Sequence, residues 1–222
     1  MTKIHDFSES YEMYLKTVAE LSDGEKAIPI TAVAQRLGVA TVSASEMMHR
    51  LEEHGLLKHQ PYKGVFLTDE GTNAAGAVVR AHRLWERFLV DSLGIDWTHA
   101  HEVACDLEHA TSVEVSHALD SFLDFPERCP HGNPIPRPGQ AIPSEGPLLS
   151  TLSANQRALI ENIRPESSQV LIALSDRGIF PGIEVEVVEI EVFDGPRRLN
   201  SEKGSITLGR RLADHIHVQV LA

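Results

Sequence analysis

The chain has 222 residues and is 42% hydrophobic, enough for one large or two to three small packed domains and too apolar for a disordered polymer. Its 20 Lys and Arg against 32 Asp and Glu leave a formal charge of −12, which argues against constitutive binding to nucleic-acid phosphates. No apolar run is long enough to span a bilayer and MTKIHDFSES is no secretory signal, so a cytoplasmic protein without membrane contact is expected.

Residues 7–70 carry the pattern of a winged helix-turn-helix. A first helix is expected from about Phe7 to Leu21, with Tyr11, Tyr14, Leu15 and Val18 on one stripe. A short second helix, Ile30 to Leu37, ends at Gly38, which tolerates the positive φ of a turn. A third begins near Thr41, offers Val42, Met47, Met48 and Leu51 for packing, and stops at Gly55. LLKHQPYKGVFLTDEG then supplies two short strands around a Pro/Tyr/Lys/Gly tip. The third helix opens with small residues, Ala40, Thr41, Ser43, Ala44 and Ser45, that can approach base edges in a major groove; Thr41 or Ser43 is also expected to cap it. Arg36, His49, Arg50, Lys58, His59 and Lys63 supply cations for phosphate contacts.

Residues 71–125 are expected to be helical: one long helix through Leu93, a second from about Thr98 to Ala110, and a third from Ser112 to Phe125. This segment is the most acidic, with 5 Lys and Arg against 11 Asp and Glu over 71–147, as suits a region that attracts cations. Six metal-type side chains fall within its residues 82–109: His82 and Glu86, four apart, then His101, Cys105, Glu108 and His109. On a helix the last four share an arc roughly 100° wide, opposite the apolar Val103, Leu107 and Ala110, which are expected to pack. Imidazole, thiol and carboxylate on one face are ligand types for a first-row transition metal. Trp85, Phe88, Leu89, Val113, Val115, Leu119, Phe122 and Leu123 form more apolar surface than one small helical layer buries, which points to a homodimer.

Seven prolines between 126 and 147 predict a stiff, extended connection. Within it, Cys129 sits beside His131; with Cys105 it is read as a ligand-type thiol rather than half of a disulfide. Beyond it, helix-like QVLIALSDRG precedes the alternating IEVEVVEIEV, then ITL and IHVQVL, the pattern of a small β-barrel with no catalytic constellation.

This order of elements, with YEMYLKTVAEL, ATVSASEMMHRLEEHGLL, RAHRLWERFLVDSLG, HAHEVACDLEHATS and CPHGNPIP, resembles the diphtheria toxin repressor family of metal-dependent transcriptional repressors over essentially the whole chain. The resemblance implies a mainly α protein: a winged helix-turn-helix over 1–70, a helical dimerisation and metal domain over 71–125, a linker over 126–147 and an SH3-like, FeoA-type β-barrel over 148–222. It also implies two metal sites per subunit. The regulatory site would comprise Met13, Cys105, Glu108 and His109, and the ancillary site His82, Glu86 and His101. In some relatives, mostly manganese sensors, the linker motif adds ligands, here Cys129 and His131. A last ligand from the barrel has no clean match, with Glu161 and Glu166 as candidates.

The function implied is a homodimeric repressor with Fe2+ or Mn2+ as corepressor, binding palindromic double-stranded operator DNA. Met13 and Cys105 favour Fe2+ at the regulatory site, whereas the CPHG motif resembles manganese-responsive members. Zn2+, Co2+ or Ni2+ would substitute in vitro on general affinity grounds. A manganese-specific regulator governed by its ancillary site is the alternative. A metal-assisted hydrolase acting on a small-molecule substrate lacks both an HExxH helix and a partnered nucleophile. A metal-independent DNA-binding protein would leave the ligand arc unexplained.

Overall fold

The computed structural model describes residues 8–22, 24, 26–140, 142–143 and 146–221, so the expected helix start at Phe7 lies outside the described residues. The chain divides into two compact units that are not consecutive in sequence. The first takes in Met1–Leu84, Asp106–Glu127 and Ile135–Ser144; the second takes in Trp85–Cys105, Arg128–Pro134 and Glu145–Ala222.

The first unit begins with the winged helix: α1 Glu9–Leu21, α2 Ile30–Leu37, α3 Thr41–Glu53 and the strands β1 Leu57–Gln60 and β2 Gly64–Leu67. Gly38 adopts φ 67 at the end of α2, and its N–H closes the helix on the carbonyls of Ala34 and Gln35. The two strands pair antiparallel, Leu57 opposite Leu67, and Ile28 adds a bridge to Val65. Leu15 and Val18 of α1, Val33 of α2, Met48 and Leu51 of α3 and Val65 of β2 close the core.

Three expectations about α3 are corrected. Its inward stripe is Ala44, Met48 and Leu51, spaced four and three apart, so Ala44 is fully buried and cannot touch DNA. Val42, two residues away and on the other side of the helix, is 70% exposed instead of packed. The cap position is Ala40, with no side-chain cap bond, so neither Thr41 nor Ser43 serves as cap. Glu52 of α3 ties the hairpin to the helix by accepting from the His59 backbone N–H (2.8 Å) and facing the His59 ring at Nδ1 (2.5 Å). The His59 N–H bond holds the Glu52 carboxyl below its ordinary value.

The long α4, Asp69–Asp91, starts in the first unit and ends in the second; α5, Trp97–Glu108, starts in the second and ends in the first. The helix α6, Val113–Phe122, is capped by Ser112, whose hydroxyl accepts from the Val115 N–H. On α5 the expected polarity is reversed within one chain. Ala100, Ala104 and Glu108 are buried, whereas Val103 is 40% exposed and Ala110, just beyond the helix, is also exposed. The ligand-type arc therefore turns inward, while Val103 and Ala110 of the opposite side turn outward and Leu107 is half-buried. Val113, Val115 and Phe122 are exposed as well, while Leu89 and Leu119 are buried.

The proline-rich segment is folded in, not extended. Cys129, His131, Asn133 and Ile135 are buried, and a bridge joins Arg128 to Pro134. In the first unit, Arg80 pairs with Asp120 and donates to the Pro136 carbonyl (2.9 Å), which pins the chain after Ile135 to α4.

The second unit carries β3 Arg157–Ile163, α7 Ser168–Ser175, β4 Glu184–Ile190, β5 Arg197–Ser201, β6 Gly204–Leu208, α8 Arg210–Ala213 and β7 Ile216–Leu221. The strands form one antiparallel sheet in the order β6-β5-β4-β3-β7, an open SH3-like sheet instead of the closed ring a barrel requires. Ile160, Val187, Leu199, Leu208 and Val218 build its core with Leu171 and Leu174 of α7.

Because Ala44 is enclosed and Ser43 is exposed, the two positions should respond oppositely to a carboxylate. Ala44→Glu should cost about 3 kcal/mol or more of folding stability, whereas Ser43→Glu should stay within about 0.5 kcal/mol of wild type. Thermal unfolding of the two variants would show this; equal melting temperatures would contradict the placement of α3.

Candidate metal centres

In the first unit, α1, α4 and the end of α5 bring two carboxylates, two imidazoles and one ammonium together. Glu108 is 4% exposed, and its two oxygens face Lys16 Nζ at 2.9 and 2.6 Å. His82 of α4 contacts the same carboxylate through Nδ1. His109 faces Glu12 through Nδ1 (2.6 Å) and Glu108 through Nε2 (3.5 Å). Burial alone would raise the Glu108 pKa, but hydrogen bonding and charge from His82 and Lys16 outweigh it and hold the carboxyl below its ordinary value. A cavity of about 210 Å3, bordered by Glu12, Glu108, Ala77, Ala81 and Thr111, opens beside the cluster. Carboxylate and imidazole donors next to free space fit a divalent first-row ion such as Fe2+ or Mn2+.

Glu108 and His109 of the expected regulatory set thus meet. Cys105, three and four residues before them on the same helical face, belongs to the second unit, with Sγ 3.8 Å from His101 Nε2. Met13 departs from expectation: it is 43% exposed on α1, and its neighbour Glu12, 4% exposed, is the residue that reaches His109. Glu12 follows the inward spacing of Leu15 and Ala19, three and seven residues on. His82, assigned by resemblance to the ancillary set, is engaged by Glu108 of the other set.

The second unit gathers Glu86 of α4, His101 of α5, Cys129 and His131 of the linker motif, and Glu166 after β3. Two overlapping groups, Glu86/Cys129/His131 and Glu86/His101/Glu166, each place their ligand atoms within 4.8 Å of one another. Glu86 Oε1 lies 3.0 Å from His131 Nδ1 and 3.2 Å from His101 Nδ1. The other His131 nitrogen, Nε2, faces the Trp97 carbonyl at 2.8 Å. Both ring nitrogens therefore meet acceptors. Burial disfavours the imidazolium, yet the Glu86 charge and the Cys129 contact prevail and raise the His131 pKa well above its ordinary value. Of the two acids considered from the C-terminal segment, Glu166 joins the cluster and receives an Asn133 side-chain N–H, whereas Glu161 lies 3.5 Å from Arg128.

The motif loop has one permissible shape. Gly132 adopts φ 82, and a Cβ there would stand 2.0 Å from the Glu161 carbonyl oxygen. Asn133 completes the loop by donating to the Ile163 carbonyl (3.1 Å) and accepting from Asn162 (2.8 Å). The thiol, carboxylate and imidazole donors of this cluster also fit a first-row divalent ion.

On the winged helix, Ala40, Thr41, Ser43, Arg50, Lys58 and Lys63 are exposed and Ser45 is half-buried. Arg36 is held near Glu20 at 3.5 Å. Sequence reasoning passed over Glu12, Lys16, Asn133 and the Trp97 carbonyl. Only Glu12 left a signal, as an acid on the packing stripe of an amphipathic helix.

Three family descriptions match: iron dependent repressor, N-terminal DNA binding domain, over residues 6–65; iron dependent repressor, metal binding and dimerisation domain, over 68–137; and FeoA domain over 148–220. The chain is similar to the diphtheria toxin repressor of Corynebacterium glutamicum, with 36% identity over 196 residues, 82% of this chain and 85% of that protein. It is also similar to the iron-dependent repressor IdeR of Mycobacterium tuberculosis, with 33% identity over 83% of this chain and 86% of the relative. Among solved structures, a manganese-dependent transcriptional repressor in complex with manganese matches with a TM-score of 0.84 and 32% identity, covering 95% of this chain and 99% of that one. The manganese regulator SloR matches with a TM-score of 0.80 and 28% identity, over 95% and 98%.

The raised His131 pKa has a signed consequence. A group whose pKa is higher in the folded chain stabilises it fully below the ordinary value of 6.5 and loses that contribution as pH rises through the folded value. With chelator present, wild type should therefore lose stability relative to His131→Gln as pH rises from 6.5 upward. Denaturant unfolding across that range measures it; parallel pH profiles would contradict the imidazolium.

Proposed function

The chain belongs to the diphtheria toxin repressor family of iron-dependent repressors, and from that premise we propose that it is a homodimeric, metal-dependent transcriptional repressor rather than an enzyme. The observation that carries this reading is the joining of α1, the first helix of the winged domain, to α5 through buried ionisable pairs: Glu12 with His109 and Lys16 with Glu108. A ligand set that spans a reading head and its support is placed to control the head.

Fe2+ or Mn2+ would supply two positive charges at each of two centres per subunit. Glu12, His82, Glu108 and His109 would hold the regulatory ion, with Cys105 on the same helical face; Glu86, His101, Cys129, His131 and Glu166 would hold the ancillary one. Ligation requires neutral imidazoles and an ionised thiol, so His131 must give up the proton it shares with Glu86. With α1 fastened to α5, α3 takes one position relative to the helical support. In a dimer this fixes the separation of two recognition helices against two half-sites. The effect is a population shift, limited by how much better the DNA-competent state binds the ion.

The outward apolar side of α5 and α6, with Val103, Val113, Val115 and Phe122, supports the dimer. Ser43 and Thr41 would face bases, while Arg50, Lys58 and Lys63 would face phosphates; Ala44 takes no part. A second reading, a manganese regulator, is favoured by Glu12 standing at His109 where Met13 was expected, because it replaces a soft donor with oxygen. The buried thiol of Cys129 pulls towards iron.

The test is operator binding by fluorescence anisotropy with Fe2+ or Mn2+ and again with chelator, in parallel with Ser43→Glu. Binding should require metal, and the variant should lose DNA affinity at least about a hundredfold, as expected when a carboxylate meets phosphate and acceptor-rich base edges, while its metal affinity is unchanged. Equal DNA binding with and without chelator would overturn the reading. Operator occupancy in cells limited separately for iron and manganese decides between the two effectors.

A further inference from the structure

One charged side chain in the regulatory cluster has no place among its ligands. Lys16 is a cation and cannot ligate a metal ion, yet its ammonium contacts both oxygens of Glu108, the most deeply buried carboxylate of the set. The pair is enclosed, with side-chain exposures of 13% for Lys16 and 2% for Glu108. A buried carboxylate without a counter-charge is strongly destabilising, so some cation must stand against Glu108 whenever the chain is folded. His82 contributes part of that charge only when protonated, and Lys16 brings an ammonium to both oxygens of the same carboxylate.

We propose that Lys16 is a resident counter-cation: its ammonium neutralises Glu108 until a divalent ion displaces it, so this side chain on α1 sets the metal concentration at which the repressor responds. The inference rests on the reading of Glu108 as a regulatory ligand. Both cations seek the same two oxygens, and a divalent ion held there repels the nearby Lys16 ammonium, which favours its displacement. Lys16 lies on the same helix as Glu12, so its departure from Glu108 changes how α1 is tied to α5. Metal entry would then release the Lys16–Glu108 tie and leave α1 joined to α5 through Glu12 and His109, which already meet. Lys16 lies one turn of α1 beyond Glu12, which places both groups on the side of the helix that meets the cluster.

The closing experiment titrates the full-length protein with Mn2+ by calorimetry, using wild type, Lys16→Met, Lys16→Arg and Glu108→Gln. Lys16→Met removes the charge and keeps most of the stem, so its regulatory-site affinity should rise about tenfold or more, the scale expected when a competing part-buried ion pair is removed. Lys16→Arg should remain close to wild type, which a purely steric role would not predict. Because Lys16→Met leaves Glu108 under-neutralised, its melting temperature without metal should fall while the increase on adding Mn2+ becomes larger than in wild type. Should the free variant prove too unstable for calorimetry, that difference in melting shift is the deciding measurement. Unchanged or weaker Mn2+ binding by Lys16→Met, with an equal or smaller melting shift, would overturn the proposal. Glu108→Gln separates the two levels: if it still binds the regulatory ion as wild type does, the ligand reading itself fails, and if it loses that ion, the Lys16 result stands alone.

Discussion

Glu108 is the constraint around which the first unit is organised. A carboxylate that is 4% exposed must be ionised and paired or else neutral, and here charge from α1 and α4 keeps it ionised. That requirement brings Lys16 over from α1 and turns His82 inward from α4. It also gives α5 a buried side that carries an ionised group among small residues, Ala100, Ala104 and Glu108. The exposed valines of α5 and α6 are the other side of the same arrangement.

The two clusters solve a common electrostatic problem with different cations. Near Glu108 the compensation comes from the His82 ring and, after it, from the Lys16 ammonium. Around Glu86 it is the imidazolium of His131, pressed between a carboxylate and the Trp97 carbonyl. An ion entering the first cluster would meet an ammonium as well as an imidazole, whereas one entering the second would meet the His131 proton.

The winged helix was legible because helical spacing and two glycines punctuate it; α2 and the start of α3 fall where the pattern puts them. Its interior was less legible. Alanine carries little hydrophobic signal, so Ala44 was mistaken for a reading residue and the more apolar Val42 for core. β3 and β5 escaped notice because RALIENI and RRLNS do not alternate cleanly; β5 even buries Arg197, which bonds the Ser150 carbonyl and Asp194. The ligand arc was visible since its members share one helix. Glu12 and Lys16 were not, because acids and lysines on a helix usually face water, and their partners lie 97 and 92 residues away. Such pairings are written in tertiary contact, and the inward spacing of Glu12 does not name its partner.

The two-sidedness of α5 bears on how this chain can vary through evolution. Of its twelve residues, Thr98, Ala100, Ala104 and Glu108 are buried, while Val103 adds an exposed apolar side chain among His99, Glu102 and Asp106. Even the exposed Glu102 accepts a hydrogen bond from Ser168. A helix with so few idle positions tolerates little drift. On the proposed reading, substitutions on one side would be selected through ion response and one at Val103 through association, so two pressures would act on a segment little more than three turns long. Changes of metal preference in such a protein are then more easily reached from α1, where Glu12, Met13 and Lys16 stand close together and carry no such double duty.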